Sequence, residues 1–155
     1  MPSKDPIRLE VSKPPARGVR VLVADDNADT RLTLSALLEH EGYEVRALED
    51  GGRVSGSVKS FQPHACILDI EMPGASGYAI ARELSDIPVA ERPLLIAISG
   101  VWISPSERLL AIMVGFDHFF QKPADPQELL NVLGDFQHGK RAREFTRRVH
   151  IAGGR

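Results

Sequence analysis

The sequence contains one cysteine, one tryptophan and two tyrosines in 155 residues, and such scarcities narrow the class of protein. A single cysteine, Cys66, rules out an internal disulfide framework, so we expect a reducing cytoplasm as the compartment. No apolar run approaches the roughly 20 residues that cross a bilayer, and residues 1–18 lack the apolar block of a secretory signal. The composition favours a soluble protein with one hydrophobic core.

The central part of the chain, residues 19–137, has no excess of positive charge. The formal net charge is −2, and because residues 1–18 carry +2 and residues 138–155 carry +5, residues 19–137 must carry −9. Such an acidic body would repel phosphate backbones, which argues against direct binding of nucleic acid. We therefore predict a flexible N-terminal arm at 1–18, one folded domain at 19–137 and a basic C-terminal tail at 138–155.

Five apolar segments alternate with five segments of helical pattern. Short runs rich in apolar and β-branched residues predict strands at 19–24, 43–48, 64–68, 94–99 and 117–122. Helical spacing predicts helices at 28–42, 51–61, 76–86, 104–114 and 126–136. Ser104 and Glu107 form a capping-box pattern, and three glycines weaken the helix at 51–61. This alternation predicts an α/β fold whose parallel sheet carries helices on both faces.

Polar residues stand at the ends of four of these strands: Asp25 and Asp26, Asp69, Ser99, and Lys122. Ligands of doubly wound sheets bind beyond the carboxyl ends of the strands, so we expect these groups to converge. Three carboxylates would repel one another, and a hard divalent cation such as Mg²⁺ would relieve that repulsion. An ionised Asp69 could then attack phosphorus, while Lys122 neutralises charge and Ser99 donates a hydrogen bond to a phosphoryl oxygen.

Four motifs at these strand ends resemble the receiver domain of bacterial two-component response regulators: VLVADDN (21–27), ILDIEMPG (67–74), AISG (97–100) and FFQKPAD (119–125). The resemblance covers residues 19–137. It implies a flavodoxin-like, doubly wound, five-stranded parallel sheet of order 2-1-3-4-5 with five helices. It also implies that the chain takes a phosphoryl group from a histidine kinase or phosphotransfer protein and is not a turnover enzyme. We expect a stand-alone response regulator whose output face switches for partner binding or for phosphorelay.

The resemblance assigns a role to each residue of the site. It makes Asp69 the phosphoacceptor and Lys122 its phosphate-pairing partner. Asp25, Asp26 and Asp69, with the backbone carbonyl of Glu71, would hold the Mg²⁺ cofactor. The Glu71 side chain itself stands at a position that, in the family, tunes how long the phosphoryl group survives.

The resemblance also predicts a switch and an output surface. Ser99 would be the switch hydroxyl and Phe119 the switch aromatic, and Pro123 would follow a cis peptide bond. Val101 and the bulky Trp102 follow Ser99 as departures from the usual pattern. The predicted output surface, which would bind an unknown downstream protein or form a phosphorylation-dependent homodimer, comprises Arg108, Ile112, Phe119 and Gln121. The apolar run 109–114 is expected to leave some of its side chains exposed there.

Simpler interpretations of the same residues remain open. Asp25 and Asp26 could be a helix cap or a solvated turn, Asp69 could form an Asx turn before Pro73, and Lys122 could be an ordinary surface lysine.

Three other functions are also compatible with the fold: a receiver-like interaction module without phosphorylation, a flavin- or nucleotide-binding domain, and a phosphatase with an aspartyl nucleophile. The second normally needs glycines or hydroxyls after the first strand, where this chain has acids. The third usually carries a large cap domain, for which we see no segment.

Overall fold

The computed structural model describes residues 18–137, so the predicted tail, and the predicted arm apart from Gly18, lie outside the described residues. Five strands alternate with five α-helices. The strands are β1 (Arg20–Ala24), β2 (Glu44–Leu48), β3 (Ala65–Asp69), β4 (Leu94–Ser99) and β5 (His118–Gln121). The helices are α1 (Ala28–His40), α2 (Val54–Phe61), α3 (Gly77–Leu84), α4 (Pro105–Val114) and α5 (Pro126–Gln137). Within the described range, no helix has the length and apolarity that a membrane crossing requires.

The strands form one parallel sheet in the order β2-β1-β3-β4-β5, which confirms the predicted fold. The register aligns Ala24 of β1 with Leu68 of β3. Across the next two pairs, Asp69 lies opposite Ile98, and Ser99 opposite Gln121. All the polar strand ends therefore face the same edge of the sheet.

The two faces of the sheet bury two separate hydrophobic clusters, because successive strand residues point to opposite sides. Helices α1 and α5 cover one face and pack on Val21, Val23, Ile67 and Ile96 among others. Helices α2, α3 and α4 cover the other face and pack on Leu22, Cys66, Leu68 and Leu95. Cys66 is fully buried there, and burial raises the pKa of its thiol. It is a core residue, as a lone cysteine in a buried strand usually is.

Helix boundaries differ from the sequence prediction at one instructive place. Gly51–Arg53 form a 3₁₀ turn, and α2 begins only at Val54. The Asp50 carboxylate accepts the Gly52 N–H, and the Gly51 N–H donates to the carbonyl of Pro73. The Gly51 N–H therefore links the 3₁₀ turn to the loop after β3 by a hydrogen bond.

The capping box at α4 is confirmed. Ser104 Oγ accepts the Glu107 N–H at 3.2 Å, and the Glu107 carboxylate accepts the Ser104 N–H at 3.3 Å. The helix therefore begins immediately after the loop that leaves β4.

Candidate functional site

Asp25 directly follows β1 and Asp69 ends the neighbouring β3, and the two side chains are held in the same way. Asp25 Oδ1 accepts the Asn27 N–H at 2.9 Å, and Asp69 Oδ1 accepts the Glu71 N–H at 3.0 Å. Each carboxylate thus uses one oxygen to shape the turn that follows its strand, as Asx turns do. The second oxygen of each remains available to the cleft, so the simpler turn interpretation and the functional one describe different oxygens of the same side chains.

Lys122 occupies the space between these two carboxylates. Its Nζ lies 2.9 Å from Asp25 Oδ2 and 3.2 Å from Asp69 Oδ2. Its side chain is only 19% exposed, so Lys122 is not an ordinary surface lysine. The peptide bond from Lys122 to Pro123 is cis, as predicted.

Asp26 completes an acidic cluster with Asp25 and Asp69. One carboxylate oxygen from each lies within 4.8 Å of the others, with Asp25 and Asp69 buried and Asp26 exposed. Asp25 Oδ2 is fully buried and pairs with the Lys122 ammonium group at 2.9 Å. One ammonium group shared by two carboxylates leaves the three-acid cluster with an excess of negative charge, which a further cation would balance. The donor set, all oxygen with one ligand open to water, suits Mg²⁺.

The surroundings shift the pKa values of the central pair of groups. Burial raises the pKa of Asp69 and the charge of Asp25 adds to it, while the Glu71 N–H and Lys122 oppose the rise. Burial alone would lower the pKa of Lys122, but its contacts with Asp25 and Asp69 outweigh burial and raise it. Lys122 therefore stays a cation at neutral pH, whereas the charge of Asp69 is disfavoured where no other cation balances it.

Ser99 ends β4 and is fully buried. Its Oγ donates to the carbonyl of Val101 at 3.2 Å and accepts the Val101 N–H at 3.3 Å. The Gln121 amide nitrogen donates to two carbonyls of the same turn, to Ser99 at 3.1 Å and to Val101 at 2.9 Å. In this structure, the hydroxyl is thus engaged within its own loop.

The predicted output surface lies on α4 and β5. Phe119 is half-buried, and the Arg108 guanidinium lies over its ring, with Cζ 5.2 Å from the centroid. Ile112 is also half-buried. The exposed apolar side chains here are instead those of Leu109, Leu110 and Met113 on α4 and of Val101 and Trp102 before it.

A groove with a volume of about 400 Å³ opens beside the acidic cluster. Glu71 and Tyr78 line it together with Asp26, Val101 and Glu107. Burial raises the pKa of Tyr78, and the charges of Glu107 and Glu71 raise it further. The groove brings Glu71 of the loop after β3 and Val101 of the loop after β4 next to Asp26 of the acidic cluster.

Three contacts that support the site were not predicted. Arg31 Nη1 donates to the backbone carbonyl of Asp25 at 2.8 Å. Gly51 packs so tightly on Ala75 that an added Cβ would overlap the Ala75 carbonyl oxygen, and Gly74 adopts φ 90° against Asp50. The Asp-Gly-Gly sequence at 50–52 is a turn signal, but nothing local to it shows that the turn docks on the loop after β3.

Comparisons with known proteins agree with the fold. The family model described as "Response regulator receiver domain" matches residues 21–134. The chain is 34% identical over 113 residues to a protein of Porphyridium aerugineum named "Probable transcriptional regulator ycf27", covering 71% of this chain and 44% of that protein. It is 30% identical over 109 residues to the aerobic respiration control protein ArcA of Escherichia coli K12, covering 70% and 44%. The chain therefore spans less than half the length of these curated relatives.

Solved structures give the same result for the fold. The N-terminal domain of an uncharacterised protein from Wolinella succinogenes superposes with a TM-score of 0.71 and 28% identity, covering 79% of this chain and 97% of that one. A CheY-like response regulator receiver domain protein from Methanospirillum hungatei superposes with a TM-score of 0.71 and 21% identity, covering 79% and 95%. The second likeness concerns the fold alone.

Proposed function

This chain belongs to the response regulator receiver domain family, and on that basis we propose that it accepts a phosphoryl group on Asp69 and signals the change through the surface of α4 and β5. Receiver domains act in signalling and not as turnover enzymes of the usual kind. The observation that carries the proposal is the ion-paired arrangement of Asp25, Asp69 and Lys122 at one edge of the sheet.

The acidic cluster is our proposed Mg²⁺ site. Carboxylate oxygens of Asp25, Asp26 and Asp69 would hold the ion together with the backbone carbonyl of Glu71. When bound, Mg²⁺ would supply positive charge next to the transferred phosphoryl oxygens. The Asp25 carboxylate is buried and shares one ammonium group with Asp69, so a second cation would balance the negative charge that Lys122 leaves over.

The chemical step uses one carboxylate oxygen of Asp69 as the nucleophile. A P–O bond to Asp69 forms while the P–N bond of a donor phosphohistidine breaks, and the departing imidazole nitrogen takes up a proton. Asp69 must be ionised to attack, so the charge of Lys122 at 3.2 Å favours the reactive form. Phosphoryl transfer needs mainly positioning and neutralisation of charge from a protein, and Lys122 supplies part of both.

The switch follows from the new anionic oxygens. We expect Ser99 Oγ to leave the Val101 backbone and donate to a phosphoryl oxygen, carrying the β4–α4 loop with it. Phe119 would then turn inward from its half-buried position under Arg108. Phosphorylation thereby shifts the balance between two conformations of the output surface.

The partners follow from the same chemistry. A histidine kinase or a histidine phosphotransfer protein would donate the phosphoryl group, and a downstream protein or a second copy of the domain would bind the output surface. We also propose a cytoplasmic location, which a single buried cysteine suits. A receiver-like interaction module without phosphorylation is the second candidate, and the complete acidic cluster with Lys122 argues against it.

The test is incubation with acetyl phosphate and MgCl₂ followed by intact mass measurement. The wild type should gain one phosphoryl group, with acetate as the leaving group. Asp69→Asn should gain none. Asp86→Asn alters an exposed acid that follows α3 and should behave as the wild type. A wild type that gains no mass with any donor, including a purified histidine kinase, would support the interaction module instead.

A further inference from the structure

Gln121 precedes Lys122 in the chain, and its side-chain amide contacts the β4–α4 loop, which moves in the proposed switch. Its Nε2 donates to the carbonyl oxygens of Ser99 and Val101 at 3.1 and 2.9 Å. The assignment of nitrogen to this position follows from chemistry, because an amide oxygen there would face two other oxygens. One side chain of β5 therefore bridges both ends of the turn that contains the Ser99 hydroxyl.

The remaining contacts of this turn are weak or lie at its edges. Ser99 Oγ and the Val101 backbone exchange two long hydrogen bonds of 3.2 and 3.3 Å. Lys122 N–H donates to the Ser99 carbonyl at 2.7 Å, a bond of the β4–β5 edge. Val101 and Trp102 are exposed and give the turn little packing. Among the described residues, the Gln121 amide is thus the main side-chain restraint on the Val101 carbonyl.

The other end of the same amide is unsatisfied. Gln121 Oε1 is buried and accepts no hydrogen bond from the described residues. A buried acceptor without a donor costs free energy, so the bridge holds the turn and yet is less stable than a fully satisfied amide would be. Such an arrangement suits a restraint that has to be released.

We propose that Gln121 is a positioning residue that holds the β4–α4 turn, and with it Ser99, in the conformation of the unphosphorylated domain. The proposal rests on the proposed function, in which Ser99 leaves Val101 to meet the phosphoryl group. Gln121 sets how often the turn opens before phosphorylation. It therefore governs the rate at which Asp69 reacts without touching the phosphoryl group itself.

Gln121→Met tests this, because methionine has a similar length but cannot donate. The loss of two neutral hydrogen bonds should speed amide hydrogen exchange in residues 100–104 on the order of tenfold. Phosphorylation by acetyl phosphate should become severalfold faster. The emission of Trp102, the single tryptophan, should move part of the way toward that of the phosphorylated protein.

Two further variants separate the bridge from a general effect on stability. Gln127→Met makes the same change at an exposed position of α5, where the amide donates to Asn131, and should leave all three measurements as in the wild type. Gln121→Lys restores a donor for both carbonyls and should restore slow exchange. The proposal is overturned if Gln121→Met exchanges at the wild-type rate, or if the lysine variant is as open as the methionine variant.

The hydrogen-exchange measurement needs no phosphoryl donor. If neither the wild type nor any variant takes up phosphorus, the proposed function fails, whereas the exchange rates still decide whether Gln121 holds the turn.

Discussion

Lys122 Nζ lies 2.9 Å from Asp25 Oδ2, so the ammonium group competes with any divalent cation for the same carboxylate. Removing the ammonium group should therefore affect metal binding and phosphorylation in opposite directions. We expect Lys122→Met to bind Mg²⁺ about tenfold more tightly, which corresponds to about 1.4 kcal/mol. The same variant should react with acetyl phosphate at least about tenfold more slowly, because it lacks the charge that pairs with the phosphoryl group.

Isothermal titration with MgCl₂ and intact mass against time measure the two effects. Lys59→Met, an exposed lysine of α2, is the matched control and should change neither. Weaker Mg²⁺ binding by Lys122→Met would contradict the competition. Unchanged phosphorylation would show that Lys122 takes no part in the reaction.

The raised pKa of Asp69 makes the metal-free domain sensitive to pH. Burial raises this pKa in the folded state, so the folded state holds the proton more tightly than the unfolded chain does. As pH rises from the ordinary carboxyl range through the raised folded pKa, the free energy of unfolding should fall, and above that pKa the loss is constant. Asp69→Asn should lack this decline and be more stable at pH 7 without Mg²⁺, on the order of 1 kcal/mol.

Urea unfolding in a chelator at several pH values between 4 and 8, roughly the range over which such carboxyls titrate, measures this effect. Asp86→Asn should follow the wild type, since that acid is exposed. Parallel curves for the wild type and Asp69→Asn would show that Asp69 has no raised pKa. Phosphorylation of the wild type in Mg²⁺ should slow only at lower pH than this range, because the cation favours the ionised carboxylate that attacks.

The contact of Gly51 with the loop after β3 predicts that a single methyl group disturbs the metal site. An alanine Cβ at position 51 would overlap the Ala75 carbonyl oxygen, so the loop must shift, and this loop also carries the carbonyl of Glu71. We expect Gly51→Ala to lose about 1–3 kcal/mol of stability and to bind Mg²⁺ more weakly.

Gly56→Ala is the control for that substitution. No atom lies within 4 Å of its added Cβ, and alanine favours helix over glycine by about 0.5–1 kcal/mol, so this variant should be as stable as the wild type or more so. Urea unfolding and Mg²⁺ titration compare the pair. Wild-type Mg²⁺ affinity in Gly51→Ala would show that the docked turn does not position the loop.

The exposed apolar side chains of α4 predict where a partner contacts the output surface. Met113 is 73% exposed and therefore a better probe than the half-buried Ile112. If a second copy of the domain binds here, phosphorylation should convert monomer to dimer in sedimentation experiments. Met113→Asp should weaken the dimer by about tenfold or more, because a carboxylate would have to be desolvated in the interface.

Leu32→Asp supplies the control for the dimer, since Leu32 is 66% exposed on α1, which covers the opposite face of the sheet. This variant should dimerise as the wild type does. A phosphorylated wild type that stays monomeric would exclude the homodimer. Equal weakening of the dimer by Met113→Asp and Leu32→Asp would show that the interface is not specific to α4.

Much of the fold could be predicted from local sequence because its signals are local. The buried runs that became β1, β3 and β4 are short, apolar and followed at once by polar residues, and the Ser104–Glu107 capping box marked the start of α4. Strand order is a different matter. It depends on long-range packing, and only the resemblance of the motifs supplied it. The 3₁₀ turn at Gly51 was missed since its cause is a contact with Ala75 and Pro73, more than 20 residues away in sequence.

For the site, the sequence by itself determined which chemical groups stand at the strand ends, because the identity and order of residues along a parallel strand decide what its carboxyl end presents. Only the tertiary structure decided that Asp25 and Asp69 share Lys122, that Ser99 bonds to Val101 and that the Gln121 amide faces inward. Those relationships depend on side-chain rotamers and on distances between segments that meet only when the sheet is assembled. A hydrogen bond requires atoms within about 3 Å, and no pattern along the chain specifies separations that fine.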